Sequence, residues 1–228
     1  MGKRNSTQPT IIGSDDHAPF QHEARLDFYA TVKRRYPKAD FVHAGDLFDF
    51  HAMSRHQTEV DACSPEEEYE EARSFVKALT KIFPKGNIVL GNHDMIPQRQ
   101  LASLGMPSVL LKNPNELYGL PKGWNVHPLY YVIEEKNTLV EHGIGSGGMY
   151  GCFRTALKKR GSFVQGHTHA HAMVKYAANH ASTIFGMNVG CGCDDKALAM
   201  RYGKYHPDKG VLACGVVHSE KQAELILM

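Results

Sequence analysis

The sequence of 228 residues contains little cysteine, almost no net charge and no long apolar run. Its five cysteines lack the spacing of a disulfide framework or a zinc ribbon, which argues against a small secreted scaffold. No stretch approaches the roughly 20 apolar residues that cross a bilayer, and the polar start of the chain lacks a secretory signal. A formal charge of +2 is too small to indicate polyanion binding by itself. We therefore expect a cytoplasmic protein without a membrane partner.

Length and composition indicate one domain. A chain with 42% hydrophobic and 22% charged residues is able to bury a sizeable core. We expect a single domain over residues 1–228, in which residues 1–9 form a mobile polar leader. Cys191 and Cys193 occupy alternate positions, which would place them on one face of a strand. We interpret them as small buried thiols rather than as a metal site.

Histidine is the residue type in excess, with 14 copies. Five apolar, strand-like runs each carry Asp, Asn or His at or next to their carboxyl ends, and they cover residues 10–15, 40–46, 87–94, 138–143 and 162–169. If these strands lie side by side, their carboxyl ends bring seven oxygen and imidazole donors to one edge of a sheet. The candidate metal ligands are Asp15, His17, Asp46, Asn92, His142, His167 and His169. Such a set is sufficient for two divalent cations.

The order of the predicted elements indicates the fold class. Apolar spacing predicts a helix near residues 21–36, one from the Ser64 cap to about Phe83, and one near residues 152–160. We interpret the Glu66–Glu71 run as a solvated helix face. The second half is richer in strands, among them a run over residues 126–133. The sequence predicts an α/β fold, a four-layer α/β/β/α sandwich of two mixed sheets flanked by helices.

The donor set suits the hydrolysis of a phosphate ester. This reaction needs a nucleophile at neutral pH and cancellation of charge on the phosphoryl oxygens. Two metals about 3.5–4 Å apart supply both, by ionising a bridging water and by binding the ester oxygens. We expect two divalent cations, with manganese favoured and iron, zinc, nickel or cobalt also compatible with these donors. We favour His142 over His127 as a ligand, because His142 ends its strand.

The motifs SDDH, GDLFD, GNHD, EHG and GHTH, spread over residues 14–169, together resemble those of the calcineurin-like metallophosphoesterase family. The surrounding sequence is similar to small phage- and bacterium-type members that lack a large cap domain. The resemblance implies a first metal held by Asp15, His17 and His169. It implies a second metal held by Asn92, His142 and His167, and a bridge formed by Asp46. It also implies attack by a metal-bridging hydroxide.

The same resemblance implies roles for three further residues. His93 of GNHD would face the leaving-group oxygen and protonate it or stabilise its charge. Asp49 would orient His93, and Asp94 would support the site from behind. Family relatives that act as non-catalytic scaffolds have lost the His of GNHD, so the presence of His93 favours an enzyme.

The substrate is the least determined feature. His51, Arg55 and His56 follow the GDLFD motif in a short polar segment, and we expect them to contact substrate. The expected partner is a phosphate ester, either a nucleotide or flexible nucleic acid. Two alternatives stay open: an exonuclease- or endonuclease-type phosphodiesterase on DNA, and a non-catalytic, metal-stabilised interaction scaffold.

Overall fold

The computed structural model of the chain describes residues 8–54, 63–194 and 209–228. Within these ranges the chain forms five α-helices and eleven strands. The helices are α1 (Arg25–Arg35), α2 (Pro65–Ile82), α3 (Ile96–Ser103), α4 (Pro114–Tyr118) and α5 (Gly151–Lys159). The strands are β1 (Thr10–Gly13), β2 (Asp40–His43), β3 (Gly86–Val89), β4 (Trp124–His127), β5 (Tyr130–Ile133), β6 (Thr138–Glu141), β7 (Ser162–Gln165), β8 (Ala172–Ala178), β9 (Thr183–Val189), β10 (Ala213–Ser219) and β11 (Gln222–Leu227). Residues 1–7 of the predicted leader lie outside the described residues.

The strands form two mixed sheets. The first has the order β11-β10-β1-β2-β3-β4, in which β1 to β4 run parallel and β10 and β11 pair antiparallel. The second has the order β5-β6-β7-β9-β8, in which β6, β7 and β9 run parallel. The edge strands β5 and β8 pair antiparallel with β6 and β9, respectively. Strands β1, β2 and β3 lie inside the first sheet and β6, β7 and β9 inside the second, and loops can meet at the carboxyl ends of these parallel strands.

Side-chain alternation along the strands builds a layered core. Ile12 of β1 packs with Val140 and Val164 of the second sheet, so one face of each sheet meets the other. Ile11, its neighbour, points the opposite way and packs in the cluster that contains Tyr29 of α1. This alternation is the expected consequence of the two-residue period of a strand.

Helices cover the outer face of each sheet. Phe75 and Leu79 of α2 pack in the same cluster as Ile11, against the first sheet. Cys152 and Ala156 of α5 pack on Phe163 of the second sheet. The layers are therefore helix, sheet, sheet and helix, and the predicted α/β/β/α sandwich is confirmed.

The predicted helix start at Ser64 is also confirmed. The Ser64 hydroxyl accepts a hydrogen bond from the Glu67 backbone N–H at 3.2 Å, and the Glu67 carboxylate accepts one from the Ser64 N–H at 2.8 Å. With Pro65 in the first turn, this reciprocal capping box fixes where α2 begins.

Two strand predictions need correction. The run over residues 126–133 is divided at Pro128 into β4 and β5, which belong to different sheets. Proline has no backbone N–H to donate to a ladder, so the chain leaves one sheet there and enters the other. Strand β8 was not predicted, because it is a partly exposed edge strand with weak alternation. No helix in the described parts of the chain is long and apolar enough to cross a membrane.

Candidate metal centre

The loops after β1, β2, β3, β6 and β7 carry the candidate ligands to one edge of the sandwich. Four of these residues have left-handed backbone: Asp15 (φ 52°), His17 (φ 48°), Asp46 (φ 54°) and His167 (φ 67°). This conformation is unfavourable for a residue with a Cβ atom, at a cost of roughly 1–3 kcal/mol each, and it persists where the surroundings over-determine it. Such a concentration of strained residues is typical of a functional site.

Glycines in the motifs allow the loops to approach closely. A Cβ atom on Gly91 of GNHD would collide with the carboxylate and backbone of Asp46. A Cβ atom on Gly166 of GHTH would collide with Ser14 and with the carboxylate of Asp15. These two glycines therefore let the third and fifth motifs pack directly on the first two.

Asp15, His17 and His169 form the first donor group, in which the three potential ligand atoms lie within 4.8 Å of one another. The Nε2 atom of His169 is 3.2 Å from Asp15 Oδ1 and 3.2 Å from His17 Nε2. Two imidazoles and one carboxylate that converge at this spacing fit a divalent cation of the transition series.

The second donor group consists of Asp46, His142 and His167, again within 4.8 Å. The Nε2 atom of His142 is 3.0 Å from Asp46 Oδ2, 3.0 Å from Asn92 Oδ1 and 3.2 Å from His167 Nδ1. The Nδ1 atom of His142 faces the Ala44 carbonyl at 2.9 Å, which fixes the ring so that Nε2 points into the group.

Asp46 lies between the two groups. Its Oδ2 atom is 3.0 Å from His142 Nε2 in the second group and 3.8 Å from His17 Nε2 in the first. The carboxylate is buried, and it contacts one imidazole of each group. The structure thus brings all seven candidate ligands together, with Asp46 between the two donor groups.

His93 and Asp49 lie beside the first group. The Nδ1 atom of His93 is 2.9 Å from Asp49 Oδ1, and the His93 backbone N–H donates to Asp46 at 2.7 Å. The same Asp49 oxygen is 2.6 Å from His17 Nδ1. Asp49 therefore orients two imidazoles rather than only His93, and a proton on His17 Nδ1 leaves the Nε2 lone pair free for a metal.

The carboxylates of the site are held in the charged form. Burial alone would raise the pKa of Asp15, but the hydrogen bond and charge of His169 hold it well below its usual range. His142 lowers the pKa of Asp46, and His17 and His93 lower the pKa of Asp49, against the same burial effect. All three groups are consequently anionic at neutral pH.

Three imidazoles are shifted in the opposite direction. Burial would lower the pKa of His142, but the charge and hydrogen bond of Asp46 raise it to about 10. Asp15 likewise raises the pKa of His169 to about 9, and Asp49 and Asp46 raise the pKa of His93 to about 9. Burial lowers the pKa of His167, which is therefore neutral at pH 7. A metal that binds His142 or His169 must displace a proton.

Asp94 supports the site through backbone hydrogen bonds. Its two oxygens accept from the N–H groups of Asp46 (2.7 Å), Leu47 (3.0 Å), Phe48 (3.0 Å) and Gly91 (2.9 Å). This buried side chain ties the GDLFD and GNHD loops together, in agreement with the support that the family resemblance implies for it.

A buried polar network around Asp16 lies beneath the SDDH loop and was not predicted from the sequence. Asp16 accepts from Arg25 Nε at 2.7 Å and from the Tyr29 hydroxyl at 3.0 Å, and it faces His43 Nε2 at 3.3 Å. Arg25 also donates to the Ala213 carbonyl at 2.8 Å. The network anchors the SDDH loop to α1 and β10. The only indication of this network in the sequence was Arg25, a charged residue on the apolar face of the first predicted helix.

The interpretation of the Glu66–Glu71 run as a solvated face is wrong for Glu68. This residue is buried, and its carboxylate accepts hydrogen bonds from the N–H groups of His51 (2.6 Å) and Ala52 (2.7 Å). It thereby holds the short 3₁₀ turn at His51–Met53, which follows the GDLFD loop. His51 is partly exposed there, while Arg55 and His56 lie outside the described residues.

The sequence also indicated that His127 and the pair Cys191 and Cys193 lie outside the metal centre. His127 lies away from the centre, where its Nε2 atom is 3.0 Å from Asn87 Oδ1. Cys191 and Cys193 are both buried thiols, but they lie against His169, with Cys193 Sγ 3.6 Å from His169 Nδ1. This proximity was not predicted, because Cys191 lies 22 positions after His169 and the spacing gives no indication of a contact.

Comparison with known proteins identifies the class. The sequence profile of the calcineurin-like phosphoesterases matches residues 9–186, so the chain belongs to this family and the predicted resemblance is confirmed. Among solved structures, vacuolar protein sorting 29 from Cryptosporidium parvum is 12% identical, with 97% of this chain and 96% of that chain covered and a TM-score of 0.48. The phosphoesterase Yfce from E. coli is 14% identical, with coverages of 96% and 99% and a TM-score of 0.45. Comparison with curated protein sequences finds no match.

Proposed function

We propose that this protein is a binuclear metal-dependent phosphoesterase. The observation that carries the proposal is the position of Asp46, whose Oδ2 atom lies 3.0 Å from His142 in one donor group and 3.8 Å from His17 in the other. A single carboxylate shared by two groups of oxygen and imidazole donors is the arrangement that a two-metal hydrolytic centre requires.

The family membership and the two donor groups together support an assignment of the ligands. Asp15, His17 and His169 would hold one cation, and Asn92, His142 and His167 the other, with Asp46 between them. When bound, the two cations would supply a nucleophile at neutral pH and neutralise charge on the phosphoryl oxygens. The chain itself positions the ligands, through Asp94 behind the GDLFD loop and the Ala44 carbonyl behind His142.

His93 supplies a proton. Its side chain is 20% exposed, so a substrate is able to reach the ring, whereas that of its partner Asp49 is 1% exposed. The raised pKa of about 9 keeps the imidazole protonated at neutral pH. A cationic donor anchored at Nδ1 by a buried carboxylate is suited to protonate the leaving-group oxygen through Nε2.

We further propose a nucleotide or flexible nucleic acid as the substrate, with His51, Arg55 and His56 as its contacts. The support is the position of this segment directly after Asp49 and the way Glu68 holds the His51 turn next to the centre. Arg55→Ala should raise KM, and unchanged KM and kcat would remove Arg55 from substrate binding.

The proposal is tested by assaying the full chain with Mn²⁺ on an aryl phosphate monoester and the matching diester, followed by nucleotides and single-stranded DNA. We expect metal-dependent turnover that is lost, together with bound metal, in Asp46→Asn. Asp27→Asn makes the same chemical change on the exposed face of α1 and serves as the matched control. Metal binding without turnover of any ester would favour a scaffold, and the absence of metal binding would overturn the centre itself.

A further inference from the structure

A third donor group lies directly behind the first. His169, Cys191 and Cys193 each offer a potential ligand atom, and the three atoms lie within 4.8 Å of one another. The Cys193 thiol approaches His169 from the Nδ1 side at 3.6 Å, whereas Nε2 of the same ring faces Asp15. The two edges of one imidazole therefore face two chemically different groups, one of oxygen and nitrogen donors and one of sulfur donors.

The backbone holds the two thiols in place. The Cys191 N–H donates to the Val211 carbonyl at 2.9 Å, and the Cys191 carbonyl accepts from Ala213 at 3.1 Å. Between the two cysteines, the Gly192 N–H donates to the Asp15 carbonyl at 3.0 Å. The segment is thus tied on one side to Val211 and Ala213 and on the other to the SDDH loop, and these backbone hydrogen bonds keep the thiols next to His169.

The geometry and the charge both fit a zinc-like cation. With Zn–S bonds of about 2.3 Å and Zn–N bonds of about 2.0–2.1 Å at the tetrahedral angle, a sulfur and a nitrogen ligand lie about 3.6 Å apart. The observed separation between Cys193 and His169 is 3.6 Å. Two thiolates also cancel the charge of one divalent cation, which matters because Cys191 is 0% and Cys193 only 4% exposed.

We propose that Cys191, Cys193 and Nδ1 of His169 form a binding site for one thiophilic divalent cation of the Zn²⁺ type. Thiolate and imidazole donors select such a cation over Mn²⁺ or Mg²⁺. Three protein ligands leave a fourth tetrahedral position for an exchangeable ligand, and the partly exposed His169 gives access to it. If the proposed phosphoesterase centre also forms, His169 is shared and the occupancy of one site changes the other.

The test is an absorbance titration of the full chain with Cd²⁺, because cadmium bound to thiolates gives a charge-transfer band in the ultraviolet. Cys63→Ser is introduced throughout to remove the half-exposed thiol. We expect a band that saturates at one equivalent of Cd²⁺. The band should be lost when Cys191→Ser and Cys193→Ser are combined. It should be retained in Cys152→Ala, which removes a buried thiol that packs under α5.

The experiment separates this site from the phosphoesterase centre. Asp46→Asn should abolish Mn²⁺-dependent turnover and leave the cadmium band unchanged, since Asp46 is not among the sulfur-site donors. A thiol that is only hydrogen-bonded to His169 gives no band, so a wild-type titration without one would overturn the proposal even if the serine variants failed to fold. A band of equal strength in the Cys191 and Cys193 double variant would overturn it as well.

Discussion

The two sheets contribute to the candidate centre in different ways. Loops after β1, β2 and β3 of the first sheet provide Asp15, His17, Asp46, Asn92 and His93, and these loops are tied to one another by buried carboxylates such as Asp94. Loops after β6 and β7 of the second sheet provide only the imidazoles of His142, His167 and His169. These are held mainly by atoms of the first sheet, including the Ala44 carbonyl and the Asp15 carboxylate.

The two sheets also differ in the protonation of the side chains that they contribute to the candidate centre. Asp15 and Asp46 of the first sheet have lowered pKa values and are anionic at neutral pH, whereas His142 and His169 of the second sheet have raised pKa values and carry protons. The first sheet therefore provides fixed negative charge through Asp15 and Asp46, and the second sheet provides candidate ligands that would have to lose protons to bind a cation. Damage to the loops of the first sheet should disturb both halves of the candidate centre, and damage to the second sheet should disturb metal binding more than the fold.

The largest effect is expected for Asp94→Ala. This change leaves four buried backbone N–H groups without an acceptor, and each unsatisfied donor costs about 1–3 kcal/mol. The sum is comparable with the whole stability of a typical domain, about 5–15 kcal/mol. Urea unfolding should show a severe loss, larger than that of His142→Ala, which removes one buried partner of Asp46 and the contact with the Ala44 carbonyl. Equal losses in the two variants would contradict the framework role of the first sheet.

A smaller effect, on catalysis alone, is expected for His93→Ala. The residue lies in a first-sheet loop but is partly exposed, so its removal should leave fold and metal content intact. Loss of a general acid should lower kcat by about 10²–10⁴. Metal analysis and steady-state kinetics of the same preparation provide the measurement, with exposed His180→Ala as the control. Wild-type turnover in His93→Ala would remove it from the mechanism.

Only some residues of the candidate centre and its surroundings could be predicted from the sequence. The candidate ligands could be predicted because each follows an apolar strand-like run, and parallel strands bring such ends to one edge. Asp94 could be predicted only through the family motif. Asp16 with Arg25, and Glu68, could not, because their importance arises from tertiary contacts: a buried ion pair and two backbone N–H groups of a distant turn. In the sequence, nothing distinguishes Glu68 from the other acidic residues of the Glu66–Glu71 run.

The fold was predictable for a related reason. Buried parallel strands carry continuous apolar runs, so β1, β2, β3, β6 and β7 were clear in the sequence. Strand β8 lies at a sheet edge, where half-exposed positions weaken the alternation. The break at Pro128 also needed the structure, since a proline tells where a ladder ends but not that the chain changes sheets.

The difference in protonation between the sheets predicts the pH dependence of metal binding. His142 and His169 have pKa values of about 10 and about 9, so at pH 7 each must release a proton before it binds a cation. Affinity for Mn²⁺ should rise with pH, by about tenfold per unit for each displaced proton, and level off above those pKa values. Calorimetry in buffers of different ionisation enthalpy counts the protons. No proton release at pH 7 would contradict the protonated state of the second-sheet imidazoles.

The smallest effect is expected at the edge of the first-sheet framework, in Glu68→Gln. An amide accepts from one of the two N–H groups of the His51 turn and faces the other with its own NH₂, which costs about 1 kcal/mol. Burial raises the pKa of Glu68 to about 7, so wild-type stability declines as the carboxylate ionises, whereas glutamine does not titrate. Wild type should therefore lose stability relative to Glu68→Gln as pH rises from about 5 to 8. Glu70→Gln, on the exposed side of the same helix, should show no such trend. A stability difference that stays constant over this range would mean that Glu68 is charged throughout and that the turn is held by a fixed charge.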